Sequence, residues 1–222
     1  MARRMGRGGP AVTTDNMRQP IQSRAQVTID KICAASVDIL TEAGWDAFNT
    51  NVVAARAGVS GPTVYRYFPN KYVLAAELRR RVDEAEAQAA LPAIERIGRN
   101  VSLSDTIGDW VRATADVRSK QPVALLLRSI STAVPDLNRT EADPDSVLAE
   151  LTAALQRLQP ALTADEAAER ARAIRTSVDS LIDDSVRDGS PSPQVIGLIV
   201  DMATTMMMSA SAAPALRADV RR

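Results

Sequence analysis

The chain has 222 residues, 45% of them hydrophobic and only 3% aromatic, so one large domain or two small ones must have cores of aliphatic side chains. Histidine is absent and Cys33 is the only cysteine, which excludes an internal disulfide, Ser-His and Cys-His nucleophile pairs and most zinc sites. The net charge is zero, but residues 1–81 carry 12 Lys and Arg against six Asp and Glu, whereas the remainder carries 15 against 21. A basic first third indicates a module that binds a polyanion.

No segment has the pattern of a targeting signal or a membrane span. The N-terminal arginines are not followed by an apolar run, and residues 195–208, the longest apolar stretch, contain Asp201. This stretch is also shorter than the roughly 20 residues that cross a bilayer. We therefore expect a cytoplasmic protein without membrane contact and without a cofactor.

The chain begins with an arm and a long helix. Residues 1–23 contain Gly, Pro and Arg but no periodic apolar face, which predicts a disordered arm. The arginines of the arm either add contacts to DNA or have no role, and both readings stay open. These arginines are Arg3, Arg4, Arg7 and Arg18. From Arg24 apolar residues recur at spacings of three and four, which predicts a helix that Gly44 ends with a left-handed cap.

Two short helices are predicted next. Asn49 or Thr50 caps the second helix, and Gly58 ends it because a tight bend requires a residue that tolerates positive φ. Ser60 caps the third helix, and Pro62 lies in the first turn, where its missing N–H matters least. The third helix ends before Pro69, since a residue that precedes proline is pushed out of the α region. A fourth helix runs from Asn70 to about Ala90.

The remainder of the chain is also helical in pattern, which makes the predicted fold class all-α. Thr163 with Glu166 has the spacing of a capping box. Further helices are predicted to start at Ser102 or Ser104, at Pro122, at 143–145, at Thr163 and at about Gln194.

The second and third helices form a helix-turn-helix pattern, because they are short and joined by a turn that contains glycine. In such a motif the second helix of the pair lies in the major groove with its N-terminal residues on base edges. Residues 60–63 would then be the tip. Phe68 is expected in the core, whereas Tyr65 and Tyr67 either donate to phosphate or base edges or simply cover a small core.

The segment from Ala54 to Lys71 has the pattern A-x-x-A-G-V-S-x-x-T-x-Y-x-Y-F-x-x-K. This pattern resembles the signature of the tetracycline-repressor (TetR) family, and the resemblance covers about residues 24–75, a third of the chain. Trp45 stands where the family usually has Tyr or Phe. Gly61 departs from the pattern, because many members have Lys or Arg there.

The resemblance implies a transcriptional regulator, usually a repressor, that binds palindromic operator DNA as a homodimer. It implies a DNA-binding domain over 24–71 and a ligand-binding and dimerisation domain over 72–210, with a flexible tail over 211–222. A small-molecule effector would change the separation of the two reading heads. The positions expected to face DNA are Thr50, Asn51, Ser60, Gly61, Pro62, Thr63, Tyr65, Tyr67 and Lys71.

Two sites are expected in the C-terminal part. A mostly apolar effector pocket is predicted at Trp110, Thr114, Leu126, Leu127, Arg128, Ile130 and Met202, where Arg128 either holds a carboxylate or phosphate or is solvated or paired on a surface. The last helix is apolar nearly all round, which favours burial by a second subunit over a central helix in a monomer. The predicted dimer face is Ile174, Val178, Leu181, Ile182, Val195, Ile199 and Met206, and the Met residues near 206–208 could instead line the pocket.

Other functions are also considered. A related regulator could activate transcription or respond to a protein. An enzyme is disfavoured, because Asp183 and Asp184 point about 100° apart on a helix and no His, Cys or Gly-rich loop assists them. A third possibility is a helical interaction module that does not bind DNA, and in such a protein the basic tip would have no function.

Overall fold

The computed structural model describes residues 18–121, 123–133, 145–187 and 189–209. Within these ranges the chain is helical and contains no strand, which confirms the predicted all-α class. No helix of the described ranges is both long and apolar enough to cross a membrane. The chain divides into two compact units, unit 1 up to Lys71 and unit 2 from Tyr72. The helices are α1 (Arg18–Ala47), α2 (Thr50–Ala57), α3 (Gly61–Tyr67), α4 (Lys71–Ile94), α5 (Leu103–Lys120), α6 (Val123–Ala133), α7 (Ser146–Leu158), α8 (Ala164–Ser185) and α9 (Pro193–Met208).

Helix α1 begins earlier than the sequence predicts. It starts at Arg18 instead of Arg24. Pro20 is compatible with this start, because it falls in the first turn, where a missing N–H breaks no helical hydrogen bond. The predicted arm is therefore helical from Arg18 onward, and its residues 1–17 lie outside the described ranges. Gly44 interrupts the helix with a φ of 73°, the positive value predicted, and a ψ of −173°, which is extended instead of left-handed helical.

The short helices of unit 1 are fixed by local caps. Asn49 accepts hydrogen bonds from the N–H groups of Asn51 and Val52, so Asn49 is the cap of α2. Gly58 ends α2 in the left-handed conformation, at φ 65° and ψ 33°. These helices enclose a small core of buried side chains, which includes Ile32, Leu40, Phe48, Val53, Val64 and Phe68.

Unit 2 has a larger core, made mainly of aliphatic side chains from α5, α7, α8 and α9. Trp110 is its one aromatic member among the described residues. Helix α4 continues to Ile94, about one turn beyond the predicted end, and includes Pro92. The burial of Ala93 and Ile94 in this core favours the extra turn, although Pro92 removes one helical hydrogen bond.

Side-chain caps begin four helices of unit 2. Ser102, Asp145 and Ser192 each accept a hydrogen bond from a backbone N–H of the first turn of α5, α7 and α9, respectively. Thr163 and Glu166 form the predicted capping box at the start of α8. Pro122, residues 143–144 and the tail 211–222 lie outside the described ranges.

Candidate functional site

The tip that precedes α3 is preorganised by a short hydrogen-bonded group. The Ser60 hydroxyl accepts a hydrogen bond from the N–H of Thr63 at 3.3 Å. It also lies 2.7 Å from the hydroxyl of Thr63. Ser60 and Pro62 are exposed, and Gly61 and Thr63 are partly exposed. The predicted tip residues therefore form one outward-facing corner of unit 1.

The aromatic side chains of α3 divide between the core and the surface. Phe68 is buried, as the sequence predicts, whereas Tyr65 is 48% exposed. Tyr67 is partly exposed, and its hydroxyl accepts a hydrogen bond from the guanidinium of Arg66 at 2.9 Å. The Arg66 guanidinium carbon also lies 4.7 Å from the centre of the Tyr67 ring. Tyr65 is thus the more available of the two tyrosines.

Lys71 is held against Trp45. Its Nζ lies 4.2 Å from the centre of the indole ring and 3.4 Å from the backbone oxygen of Trp45, to which it donates. The indole in turn lies 5.6 Å from the Phe48 ring, centre to centre. These contacts fix the position of a positive charge at the edge of unit 1.

The two predicted residues of α2 differ in exposure. Asn51 is exposed, and its Oδ1 lies 3.9 Å from the position that a Cβ on Gly61 would occupy. Asn51 therefore adjoins the tip. Thr50 is only 6% exposed and belongs to the buried side of α2, so its side chain is not available at the surface.

Sequence reasoning missed Arg66 as a member of this surface. Arg66 is exposed, and its guanidinium contacts both the hydroxyl and the ring of Tyr67. A basic residue between two tyrosines was a signal in the sequence, because arginine commonly packs on an adjacent aromatic ring.

In unit 2 the residues of the predicted effector pocket lie mainly in the interior. Trp110, Thr114, Leu127 and Ile130 are buried, and Leu126, Arg128 and Met202 are partly buried. Arg128 Nη2 donates to Glu86 Oε2 at 2.6 Å, and Arg128 Nε lies 3.7 Å from Asp183 Oδ1. Arg128 is therefore ion-paired in the interior of unit 2, not solvated or paired on a surface.

Arg118 lies at the centre of this interior and is only 1% exposed. Its Nε and Nη2 donate to the two oxygens of Glu86 at 3.0 and 2.9 Å. Nη2 also donates to Asp179 Oδ1 at 2.5 Å, and Nη1 donates to Asp183 Oδ1 and to the backbone oxygen of Asp179. All five N–H donors of the guanidinium are thus used. Arg118 lies on α5, and its hydrogen bonds therefore join α5 to both α4 and α8.

The pKa values of Glu86 and Asp183 in this cluster are shifted in opposite directions. Burial acts to raise the pKa of Glu86, but the hydrogen bonds and charges of Arg118 and Arg128 outweigh it, so this pKa is lowered. For Asp183 burial prevails over the same two arginines, and the pKa is raised.

A groove of about 320 Å³ lies between α5 and the start of α9. It contains none of the predicted pocket residues. Its walls are Arg112, Ala115, Asp116, Ser119, Ser190, Pro191, Pro193 and Ile196. Elsewhere, no three His, Cys, Asp or Glu side chains of the described residues are grouped so that they could hold a metal ion.

The predicted dimer face divides between core and surface. Ile174, Val178, Ile182 and Ile199 are buried in the core of their own chain, because the inward face of α8 packs on α7 and α9. These four side chains are therefore not available to a second subunit. Leu181 and Val195 are exposed, and Met206 is partly buried. The structure adds Leu198, 69% exposed, and Met208 to the exposed apolar side chains.

Comparison with known proteins finds a family match in the N-terminal part of the chain. Residues 32–78 match the family model described as bacterial regulatory proteins, tetR family. No protein with a curated description matches the chain in sequence.

Solved structures match the fold over most of the chain. A TetR-family transcriptional regulator from Mesorhizobium loti has a TM-score of 0.63 at 18% identity, over 83% of this chain and 96% of that one. The flavonoid-responsive regulator FrrA has a TM-score of 0.58 at 22% identity, over 82% and 95%. A transcriptional regulator from Rhodococcus sp. Rha1 has a TM-score of 0.56 at 20% identity, over 81% and 95%. The resemblance to the TetR family is thereby confirmed: the chain has the fold of a TetR-family transcriptional regulator, and residues 32–78 match the family's own model.

Proposed function

We propose that this protein is a ligand-responsive transcriptional repressor that binds palindromic operator DNA as a homodimer in the cytoplasm. The observation that carries the proposal is the helix-turn-helix of α2 and α3, whose exposed corner holds Asn51, Ser60 and Tyr65 within the segment that matches the family model. The likeness of fold to a TetR-family transcriptional regulator over 83% of the chain supports the same function.

In this proposal the corner meets the major groove. Asn51 has the amide geometry that reads the N6 and N7 edge of adenine, and it adjoins Gly61, which has no side chain. Thr63 offers a methyl group and a hydroxyl to a thymine or a polar edge. The hydroxyl of Tyr65 and the ammonium of Lys71 contact phosphates and set the register. Gly61 lets the backbone approach the DNA closely.

The dimer would form through the outward faces of α8 and α9. On α9 the exposed residues Gln194, Leu198, Asp201, Thr205 and Met208 recur at spacings of three and four, so they form one stripe. Leu181 and Val195 extend the apolar part of this surface. Two such helices from each subunit would pair as a four-helix bundle.

The effector would bind in the interior of unit 2, near Trp110 and Thr114 on α5. Its binding would change the positions of the two DNA-binding heads, so that the dimer no longer matches two half-sites. A member of the same class that activates transcription, or one that responds to a protein, would share the DNA-binding corner and differ only in this step.

The test is a gel shift on duplexes selected by the protein from a random pool. We expect Tyr65→Ala to weaken binding about tenfold or more and Tyr65→Phe to lie between this variant and the wild type, because the ring remains and the hydroxyl is lost. Arg112→Ala, which removes an exposed charge in unit 2, is the control and should bind as the wild type does. Full affinity of Tyr65→Ala would contradict the proposed DNA-facing surface.

A further inference from the structure

The exposed residues of α2 form one outward face of the helix. They recur at spacings of three and four, and they are Asn51, Val52, Ala55 and Arg56. The tip adjoins the start of this face, because Asn51 Oδ1 lies 3.9 Å from the position that a Cβ on Gly61 would occupy. Val52 is 43% exposed, whereas its neighbour Val53 is fully buried in the core of unit 1. An apolar side chain therefore stands beside Asn51 on the surface proposed to meet DNA.

The positive charges of α2 and α3 are held by partners within unit 1. Arg56 and Arg66 are the only Lys or Arg residues of these two helices, both of which are described in full. Arg56 forms a two-point ion pair with Glu42, with Nη1 3.2 Å from Oε1 and Nη2 2.8 Å from Oε2. Arg66 contacts the ring and the hydroxyl of Tyr67. The commonest specific contact to guanine is an arginine or lysine on O6 and N7, so α2 and α3 could make it only by breaking one of these contacts.

The groups that remain for base edges are an amide and several methyl groups. The side-chain amide of Asn51 takes part in no hydrogen bond among the described residues. The hydroxyl of Thr63 lies 2.7 Å from the hydroxyl of Ser60, so the methyl group is the part of Thr63 that is not already hydrogen-bonded. Val52 adds two methyl groups. In the major groove an amide pairs with N6 and N7 of adenine, and apolar groups contact the C5 methyl of thymine.

We propose that the bases read by this corner in the major groove are A·T pairs, with Asn51 hydrogen-bonded to adenine and the methyl groups of Val52 and Thr63 on thymine methyls. This inference rests on the DNA-binding role proposed above and specifies the chemical class of the operator half-site. It also makes Val52 a specificity-determining residue. Tyr65 and Lys71 keep their proposed contacts to phosphates, which all sequences share.

A preference for A·T pairs can also come from the shape and stiffness of the duplex, without any contact to the bases. Single-atom changes separate this indirect readout from direct contact. Uracil in place of thymine removes only the C5 methyl group, and 7-deazaadenine in place of adenine removes only the N7 acceptor. Both groups lie in the major groove, so contacts that any other part of the chain makes in the minor groove are unaffected.

The test uses the duplexes that full-length wild-type protein retains from a random pool, made again with one modified base at a time in each half-site. We expect 7-deazaadenine to weaken binding about fivefold or more at the adenine that Asn51 contacts, because one of two hydrogen bonds is lost. Uracil should weaken binding about threefold or more for each thymine methyl that is buried. The matched control is 7-deazaguanine, the same change at guanine, which should leave binding unchanged.

Three results would overturn the proposal. The first is a loss of affinity with 7-deazaguanine as large as that with 7-deazaadenine. The second is full affinity at every position with either uracil or 7-deazaadenine. The third is a selected half-site that contains no A·T pair.

Matched variants then assign the contacts. Asn51→Ala should lose the sensitivity to 7-deazaadenine and keep the sensitivity to uracil. Thr63→Ser keeps the hydroxyl that meets Ser60 and removes only the methyl group, and Val52→Ala removes two methyl groups, so each should reduce the effect of uracil alone. Val101→Ala, at an exposed apolar residue of unit 2, is the control and should keep both effects. An undiminished effect of uracil in Val52→Ala would overturn the role of Val52.

The outcomes also separate this inference from the function proposed above. A retained pool without any motif contradicts the regulator itself, and the inference with it. A motif whose binding depends on guanine N7 contradicts only the inference, because specific binding to DNA is then still observed.

Discussion

Arg118 and Glu86 form a two-point ion pair in the interior of unit 2, with Nε 3.0 Å from Oε1 and Nη2 2.9 Å from Oε2. The pair joins α5 to α4 over a separation of 32 residues. Both side chains are almost fully buried, so neither charge can be hydrated if the other is removed. A buried ion pair adds little to the stability of the fold, but removing one partner destabilises the fold strongly, because it leaves a buried charge without compensation.

The first prediction concerns Arg118. Replacing Arg118 by Met leaves Glu86 and Asp179 buried without their main partner, and we expect the free energy of unfolding to fall by about 3–5 kcal/mol. Arg112→Met on the same helix removes an exposed ion pair with Asp109, and it should change the free energy of unfolding by less than about 1 kcal/mol. Urea denaturation of both variants measures the difference. A loss below about 1 kcal/mol for Arg118→Met would contradict a fully buried network.

The second prediction concerns pH. The pKa of Glu86 is lowered in the folded protein, so its ionised form stabilises the fold at a pH above the ordinary value of 4.5. This contribution is lost as the pH falls through the lower, folded value. Glu86→Gln cannot ionise and should lack this dependence. The difference in unfolding free energy between wild type and variant should therefore shrink steadily below about pH 4.5. A difference that stays constant from pH 7 to pH 3 would contradict the lowered pKa.

The third prediction concerns the turn before α3. Gly58 has a φ of 65°, and a Cβ added there would meet no atom within 4 Å, so Gly58→Ala should cost only backbone strain, about 1 kcal/mol. Gly61→Ala is the control, because its φ is ordinary and the nearest atom lies 3.9 Å away. Thermal denaturation should show a lower Tm for Gly58→Ala alone. Equal Tm values for the two variants would contradict the left-handed cap.

The fourth prediction concerns the salt dependence of DNA binding. If Lys71 contacts a phosphate, Lys71→Ala should weaken binding to all sequences and reduce the slope of log K against log salt by about 1. Lys120, an exposed lysine of unit 2 paired with Asp116, gives the control Lys120→Ala. Fluorescence anisotropy at several salt concentrations measures both slopes. Identical slopes for the two variants would remove Lys71 from the proposed interface.

The fifth prediction concerns the dimer. Leu198→Asp places a charge at the centre of the exposed stripe of α9 and should convert the dimer to a monomer in sedimentation velocity experiments. Val101 is also an exposed apolar residue, but it lies before α5, so Val101→Asp should remain dimeric. A dimer that tolerates Leu198→Asp would show that the subunits pair through another surface.

Unit 1 was predictable because local rules set its helix ends. Asn49, Gly58 and Ser60 each act through backbone groups within three or four residues, which a sequence displays directly. The sequence predicts α1 to begin at Arg24, six residues after its start in the structure, because a proline such as Pro20 usually interrupts a helix unless it lies in the first turn. The burial of Thr50 also could not be read from the sequence, because it depends on how α2 packs within unit 1.

The Arg118 cluster was not predictable in the same way. Its members are separated by 32 and 61 residues, and no local pattern relates them. One signal was present: Trp110, Thr114 and Arg118 recur every four residues, so an arginine continues the inward side of α5. The burial of four residues of the predicted dimer face was not predictable for a similar reason. Periodicity shows that α8 has an apolar face, but only packing shows that this face is turned to the core of its own chain.

The central claim is that the corner formed by α2 and α3 reads a specific duplex. The most direct measurement is sequencing of the duplexes that full-length protein retains from a random pool. The account predicts strong enrichment of one motif made of two inverted half-sites, with centres spaced by about one helical turn of DNA or a multiple of it. A retained pool with the same composition as the input would contradict the claim.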